Sequence, residues 1–148
     1  MSKDIAIYYG TQTGNSQTLA EQAQAAAQKA GFNASLFNLA DVAAADIASN
    51  APNAIFIVST WGDGEPPTDA ENFFSELSGA SLDLSGRKHA VFGLGDSNYE
   101  QFCKFAKDLD ARLSELGSAQ VLPVFSADVN FDGDYAKWQP QALAAFGE

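Results

Sequence analysis

Residues 54–64 read Ala54-Ile55-Phe56-Ile57-Val58-Ser59-Thr60-Trp61-Gly62-Asp63-Gly64, an apolar run that feeds straight into a polar loop. The run from Ala54 to Ser59 shows no polar alternation, as expected of a parallel strand covered on both faces. The loop has the opposite character. Gly62, Gly64, Pro66 and Pro67 give it a fixed shape rather than slack. Nothing around Trp61 has core periodicity, so stacking on a flat ring is the sharper reading, and folding back onto the domain surface is the plainer one.

The same strand-then-loop pattern occurs on both sides. Upstream, the apolar stretch Ile5 to Tyr9 leads into Thr11-Gln12-Thr13-Gly14-Asn15-Ser16. A helix is then expected from Ser16 to Ala30, with Leu19, Ala20, Ala23, Ala27 and Ala30 on one face and Gly31 ending it. Downstream, Ala90 to Leu94 leads into Gly95-Asp96-Ser97-Asn98-Tyr99. The stripe Phe102, Phe105, Ala106, Leu109, Leu113 and Leu116 then marks a helix ending at Gly117.

The intervening segments complete the alternation. Ala34 to Leu39 reads as a second strand, Asp41 to Ser49 as one or two helical turns, and Val121 to Phe125 as the fifth strand. Thr68 with Glu71 three residues on forms a capping-box pattern for a short helix to Leu77. A closing helix is expected from Tyr135 to Phe146, with Pro140 producing a kink or a later start. Strands alternating with helices imply crossovers and a parallel sheet, here an α/β three-layer sandwich. With 148 residues and no repeat or linker, the expectation is one domain over residues 1–148.

All three loops follow strand C-termini, where open α/β sheets bind ligands. The first loop sets Thr11, Thr13 and Ser16 around Gly14 at a helix start, which suits a phosphate through free N–H groups and the helix dipole. An ordinary N-cap and turn is the plainer alternative. No Lys or Arg occurs from Asp4 to Gln28, so a phosphate would be held mainly by neutral donors. A Walker loop and a dinucleotide Gly-x-Gly-x-x-Gly are both missing from these residues. In the third loop, Tyr99 could cover the face of a ring opposite Trp61, or pack locally at the helix start.

The formal net charge is −11, and residues 30–86 contain eight carboxylates without a single Lys or Arg. Nucleic acid and anionic membrane surfaces are therefore poor partners, whereas a basic protein surface is a good one, the plainer alternative being that the acidity only confers solubility. Without a membrane-length apolar run or an apolar leader, cytoplasmic residence is the simplest expectation. The single Cys103 agrees with a reducing compartment and reads first as a small buried helix residue. His89 reads as a surface-edge residue with no metal cluster to join.

Taken together, these residues resemble the flavodoxin family over essentially the whole chain. The first loop is similar to the family's Thr/Ser-x-Thr-Gly-x-Thr/Ser phosphate loop. Thr60-Trp61-Gly62-Asp63 resembles its ring-stacking loop, and Gly95-Asp96-Ser97 with Tyr99-Glu100, Phe102 and Cys103 resembles its third loop. The resemblance implies a five-stranded parallel sheet in the order 2-1-3-4-5 and an FMN cofactor. It places the phosphate on Thr11, Gln12, Thr13, Gly14, Asn15 and Ser16, and the ring between Trp61 and Tyr99. Contacts around the ring would come from Ser59, Thr60, Gly62, Asp63, Gly64, Leu94, Gly95, Asp96, Phe102, Cys103 and Asp128. The carbonyl of Gly62 would be the redox-linked one, since glycine tolerates a flip to positive φ.

The direct passage from Gly117 through the fifth strand to Ser126 is that of a short-chain member. Gly64-Glu65-Pro66-Pro67, Phe102-Cys103-Lys104 and Ala127-Asp128-Val129 are similar to FMN domains of diflavin reductases, the sulfite reductase flavoprotein among them. The implied function is a low-potential one-electron carrier rather than an enzyme, most simply a monomer. It would pass electrons from a flavodoxin/ferredoxin-NADP reductase type donor to a haem or other redox enzyme. The alternatives are a reductase FMN domain, a flavin-dependent quinone reductase, or a module that kept the fold and lost the cofactor. A phospho-receiver domain is disfavoured, because strand one ends Tyr8-Tyr9-Gly10 without the acidic pair that it needs.

Overall fold

A computed structural model describes residues 4–10, 15–42, 44–47, 53–59, 71–79, 83–94, 104–122, 124–127 and 131–146. Strands β1 (Asp4–Gly10), β2 (Asn33–Asn38), β3 (Asn53–Ser59) and β4 (Lys88–Leu94) pair in parallel in the order β2-β1-β3-β4. The fifth sheet position is filled in turn by β5 (Ala119–Gln120) and β6 (Phe125–Ala127), both parallel to β4. The expected order 2-1-3-4-5 is therefore found.

Period-two alternation sends the apolar residues of the central strands to two cores, one on each face of the sheet. On one face, Ala6, Tyr8, Phe56, Val58 and Val91 pack with Phe73 and Leu77 of α3 (Glu71–Gly79) and with Ala106, Leu109 and Leu113 of α4 (Lys104–Glu115). Short α2 (Ala44–Ile47) adds Ile47 to this layer. On the other face, Ile5, Ile7, Ile55, Ile57, Ala90 and Phe92 meet α1 (Asn15–Lys29) and α5 (Phe131–Phe146). The three alanines Ala20, Ala23 and Ala27 line the buried stripe of α1 with Leu19, and small side chains there let the helix lie close to the sheet.

Two helices end in the same way. Past α1, Gly31 adopts φ +95°, Phe32 N–H bonds to Ala27 C=O at 2.9 Å, and Gly31 N–H bonds to Gln28 C=O at 3.1 Å. Past α4, Gly117 adopts φ +107°, with Ser118 N–H on Leu113 C=O and Gly117 N–H on Ser114 C=O. Both are Schellman caps, which satisfy the last carbonyls and need a residue tolerant of positive φ.

Two sequence expectations need correction. The fifth strand is not continuous over Val121 to Phe125; two short pieces flank that stretch. From Gln120 to Phe125 the chain takes five steps, while β4 takes three from His89 to Phe92, so two residues are in excess. The sequence places Pro123 here, a residue with no N–H to give to the ladder. The closing helix begins at Phe131, earlier than expected, and runs through Pro140 to Phe146. Burial of Tyr135, Trp138, Ala142 and Phe146 along one stripe outweighs the hydrogen bond that the proline removes. The Thr68 cap lies outside the described residues.

Candidate functional site

The strands end level with one another. Gly10 of β1 is in register with Val58, Ser59 of β3 with Leu94, and Leu94 of β4 with Ala127 of β6. The connections 11–14, 60–70, 95–103 and 128–130 therefore leave one sheet edge from adjacent strands, each about 4.8 Å from the next. The chain first steps outward from β1 to β2, then returns to place β3 on the other side of β1. That reversal is the topological switch point where open α/β sheets bind ligands.

The first connection joins Gly10 to Asn15, five Cα–Cα steps that span no more than about 18 Å even when extended. The N-terminus of α1 is thus tied to the edge beside the switch point, and a helix start of this kind is a position that favours an anion. Gly10 and Tyr9, the last residues of β1, are buried.

Of the residues singled out by sequence, Asn15 and Ser16 open α1, Ser59 closes β3 and Leu94 closes β4. The backbone brings these take-off points to one edge. Thr11, Gln12, Thr13, Gly14, Thr60, Trp61, Gly62, Asp63, Gly64, Gly95, Asp96, Tyr99, Phe102, Cys103 and Asp128 lie outside the described residues.

The flavodoxin family profile matches residues 7–138. The chain belongs to the flavodoxin family. It is 36% identical over 149 residues to the sulfite reductase (NADPH) flavoprotein alpha-component of Bacillus subtilis, covering 100% of this chain and 24% of that protein. It is 34% identical over 153 residues to the NADPH–cytochrome P450 reductase of Oryctolagus cuniculus, covering 99% of this chain and 22% of that one. The chain thus spans about a quarter of the length of these curated relatives.

Among solved structures, a mutant of the flavodoxin from Pseudomonas aeruginosa superposes with a TM-score of 0.87 at 25% identity, over 98% of this chain and 99% of that one. A flavodoxin of Streptococcus pneumoniae TIGR4 shares the fold at TM-score 0.86 and 24% identity, covering 97% of each chain. The chain is accordingly a flavodoxin-like FMN-binding domain. The frame fits that group: a cation-poor helix start and three loops diverge from one edge, around a switch point for which flavodoxins are themselves a standard case.

One expectation is overturned away from this edge. His89 is not a surface residue; it is 1% exposed, bonded to Asp110 and Ser118. The signal was present in the sequence, because Asp110 falls on the apolar stripe of α4 between Ala106 and Leu113, where a carboxylate needs a partner. Asp83 lies in the turn before β4, and hydrogen bonds from the hydroxyl and N–H of Ser85 hold its carboxyl below the ordinary carboxylate value. Among the described residues, no group of three or more His, Cys, Asp or Glu is placed to hold a metal, and no helix is long and apolar enough to cross a membrane.

Proposed function

We propose that residues 1–148 form one domain that carries single electrons through FMN between redox proteins, without a catalytic reaction of its own. The level strand ends at the β1/β3 switch point carry this reading, because they bring the take-off points of all three loops to one edge. In this reading Thr11, Gln12, Thr13, Gly14, Asn15 and Ser16 hold the phosphate with backbone and hydroxyl donors. Trp61 and Tyr99 flank the ring. Ser59, Thr60, Gly62, Asp63, Gly64, Leu94, Gly95, Asp96, Phe102, Cys103 and Asp128 line its edges. When bound, FMN supplies the one-electron chemistry, and the chain orients the ring and sets its electrostatic surroundings.

The acidic balance supports basic-surfaced partners: a reductase of the flavodoxin/ferredoxin-NADP type as donor, and a haem or other redox enzyme as acceptor. A net charge far from zero also favours a monomer, and the single Cys103 fits a reducing cytoplasm. A second reading is favoured by the identities, which are 33–38% to sulfite and P450 reductase flavoproteins and 22–25% to flavodoxins. In that reading the chain works as the FMN domain of a larger reductase system. The test is a visible spectrum of purified protein, with FMN added, during stepwise reduction. A yellow protein with a distinct half-reduced stage is expected. A colourless protein that ignores FMN sinks the proposal.

A further inference from the structure

Tyr135, one turn into α5, is 2% exposed, and its hydroxyl donates a 2.9 Å hydrogen bond to the carbonyl of Leu19, one turn into α1. The ring that carries the hydroxyl is clamped. Phe92 meets it edge-on at a centroid distance of 5.2 Å, and Trp138 lies at 6.1 Å on the same helix. The bond therefore runs from a fixed donor on one helix to the first turns of another, at the ends of both helices that adjoin the ligand edge.

The apolar contacts of Leu19, Ala20, Ala23 and Ala27 hold α1 on the sheet but are non-directional. Hydrogen bonds fix direction. Gln24 bonds to Ala34 C=O at 3.2 Å and ties the middle of α1 to β2, whereas Tyr135 ties its beginning. The sequence from Asp4 to Gln28 has no Lys or Arg whose long side chain could follow a displaced phosphate. Binding by the N–H groups of a helix start depends on where they point.

We infer that Tyr135 is a positioning residue for the FMN phosphate, acting through Leu19 to hold the start of α1 in its binding orientation. The inference rests on the FMN reading above and adds a residue that no loop motif contains. Burial keeps the phenol protonated and so a donor across the ordinary pH range.

The test compares FMN with riboflavin, which has the same ring and no phosphate. Flavin is stripped from the purified full chain, and each flavin is titrated back by fluorescence quenching into wild type, Tyr135→Phe and Trp138→Phe. Tyr135→Phe keeps the ring and removes only the hydroxyl. It should weaken FMN binding roughly threefold to tenfold and leave riboflavin within about twofold of wild type. Trp138→Phe disturbs the same cluster with the hydroxyl in place, and should leave the FMN-to-riboflavin ratio unchanged. An unchanged ratio in Tyr135→Phe, or an equal shift of both flavins, overturns the positioning role. So does an equal change of ratio in both variants. Wild type that binds neither flavin overturns the FMN reading itself.

Discussion

Asp110 on α4 accepts a 2.8 Å hydrogen bond from Nε2 of His89 on β4, and both groups are buried. The other carboxylate oxygen accepts from Gln120 at 2.8 Å, and His89 Nδ1 shares a 2.6 Å bond with the hydroxyl of Ser118. One helix, the strand it covers and the start of the fifth strand are thus joined by polar groups that each have a partner. Such networks are stabilising only when complete.

His89→Leu breaks the network and leaves one oxygen of a buried carboxylate without its partner, Gln120 still holding the other. A loss of about 2–4 kcal/mol is expected from urea unfolding. Replacing Asp110 by Leu as well should recover part of it, since an apolar pair avoids the orphaned charge. The flavin spectrum should not change, because five residues of β4, about 16 Å, separate His89 from the loop that follows Leu94. A perturbed spectrum would show that the two ends of β4 are coupled.

Gly31 and Gly117 offer a matched comparison. Both have positive φ, but a Cβ on Gly31 meets nothing within 4 Å, whereas one on Gly117 lies 3.2 Å from the backbone N and the hydroxyl of Ser85. Gly31→Ala should cost about 1 kcal/mol of backbone strain. Gly117→Ala should cost more, because Ser85 is itself fixed by two hydrogen bonds to Asp83. Urea midpoints for the two variants give the order directly, and equal midpoints would contradict it.

Burial raises the phenol pKa of Tyr135 above its ordinary value of 10.0. The unfolded chain therefore releases this proton at a lower pH than the folded chain. The stability linked to it is complete below pH 10.0 and is lost as pH rises beyond that value toward the folded pKa. Thermal melts of wild type across this alkaline range should fall more steeply than those of Tyr135→Phe. Parallel curves would mean that the phenol is not shielded.

If the loops carrying Asp63, Glu65 and Asp96 border the ring, as proposed for the site, neutralising these carboxylates should make the flavin easier to reduce. A carboxylate about 10 Å from an anionic reduced ring costs roughly 1.7 kcal/mol at an effective dielectric near 20. That corresponds to about 70 mV for one electron, less in salt. Asp63→Asn, Glu65→Gln and Asp96→Asn are each expected to raise the second reduction potential and to slow transfer to a basic partner. Spectroelectrochemistry and stopped-flow rates that match wild type would remove these carboxylates from the tuning role.

The frame was legible in the sequence because strands such as 54–59 are apolar throughout and helices such as α4 carry a clear stripe. Gly31 and Gly117 marked two helix ends correctly. The fifth strand was not legible in detail. Apolar character at 121–125 says that the segment is covered, but pairing needs N–H groups and register, which Pro123 and the two-residue excess interrupt. His89 was misread for a related reason. Its side-chain partners, Asp110 on α4 and Ser118 in the turn after it, lie 21 and 29 residues away, so a buried carboxylate on the α4 stripe says that a partner is needed but not which residue supplies it. The backbone side of the site, a set of strand ends at one edge, followed from the alternation of strands and helices. The Tyr135–Leu19 bond joins residues 116 apart in sequence and had no local signature.

The break in the fifth strand has a consequence for how this architecture can grow. Its two pieces take their register from opposite halves of β4, so neither depends on the length of chain between them. Extra residues placed after Leu122 would lengthen the connection while Val121 N–H stays bonded to His89 C=O at 3.0 Å and Ala127 stays opposite Leu94. A tag, a reporter or a partner-binding segment grafted there should leave both the buried network at one end of β4 and the flavin edge at the other in place.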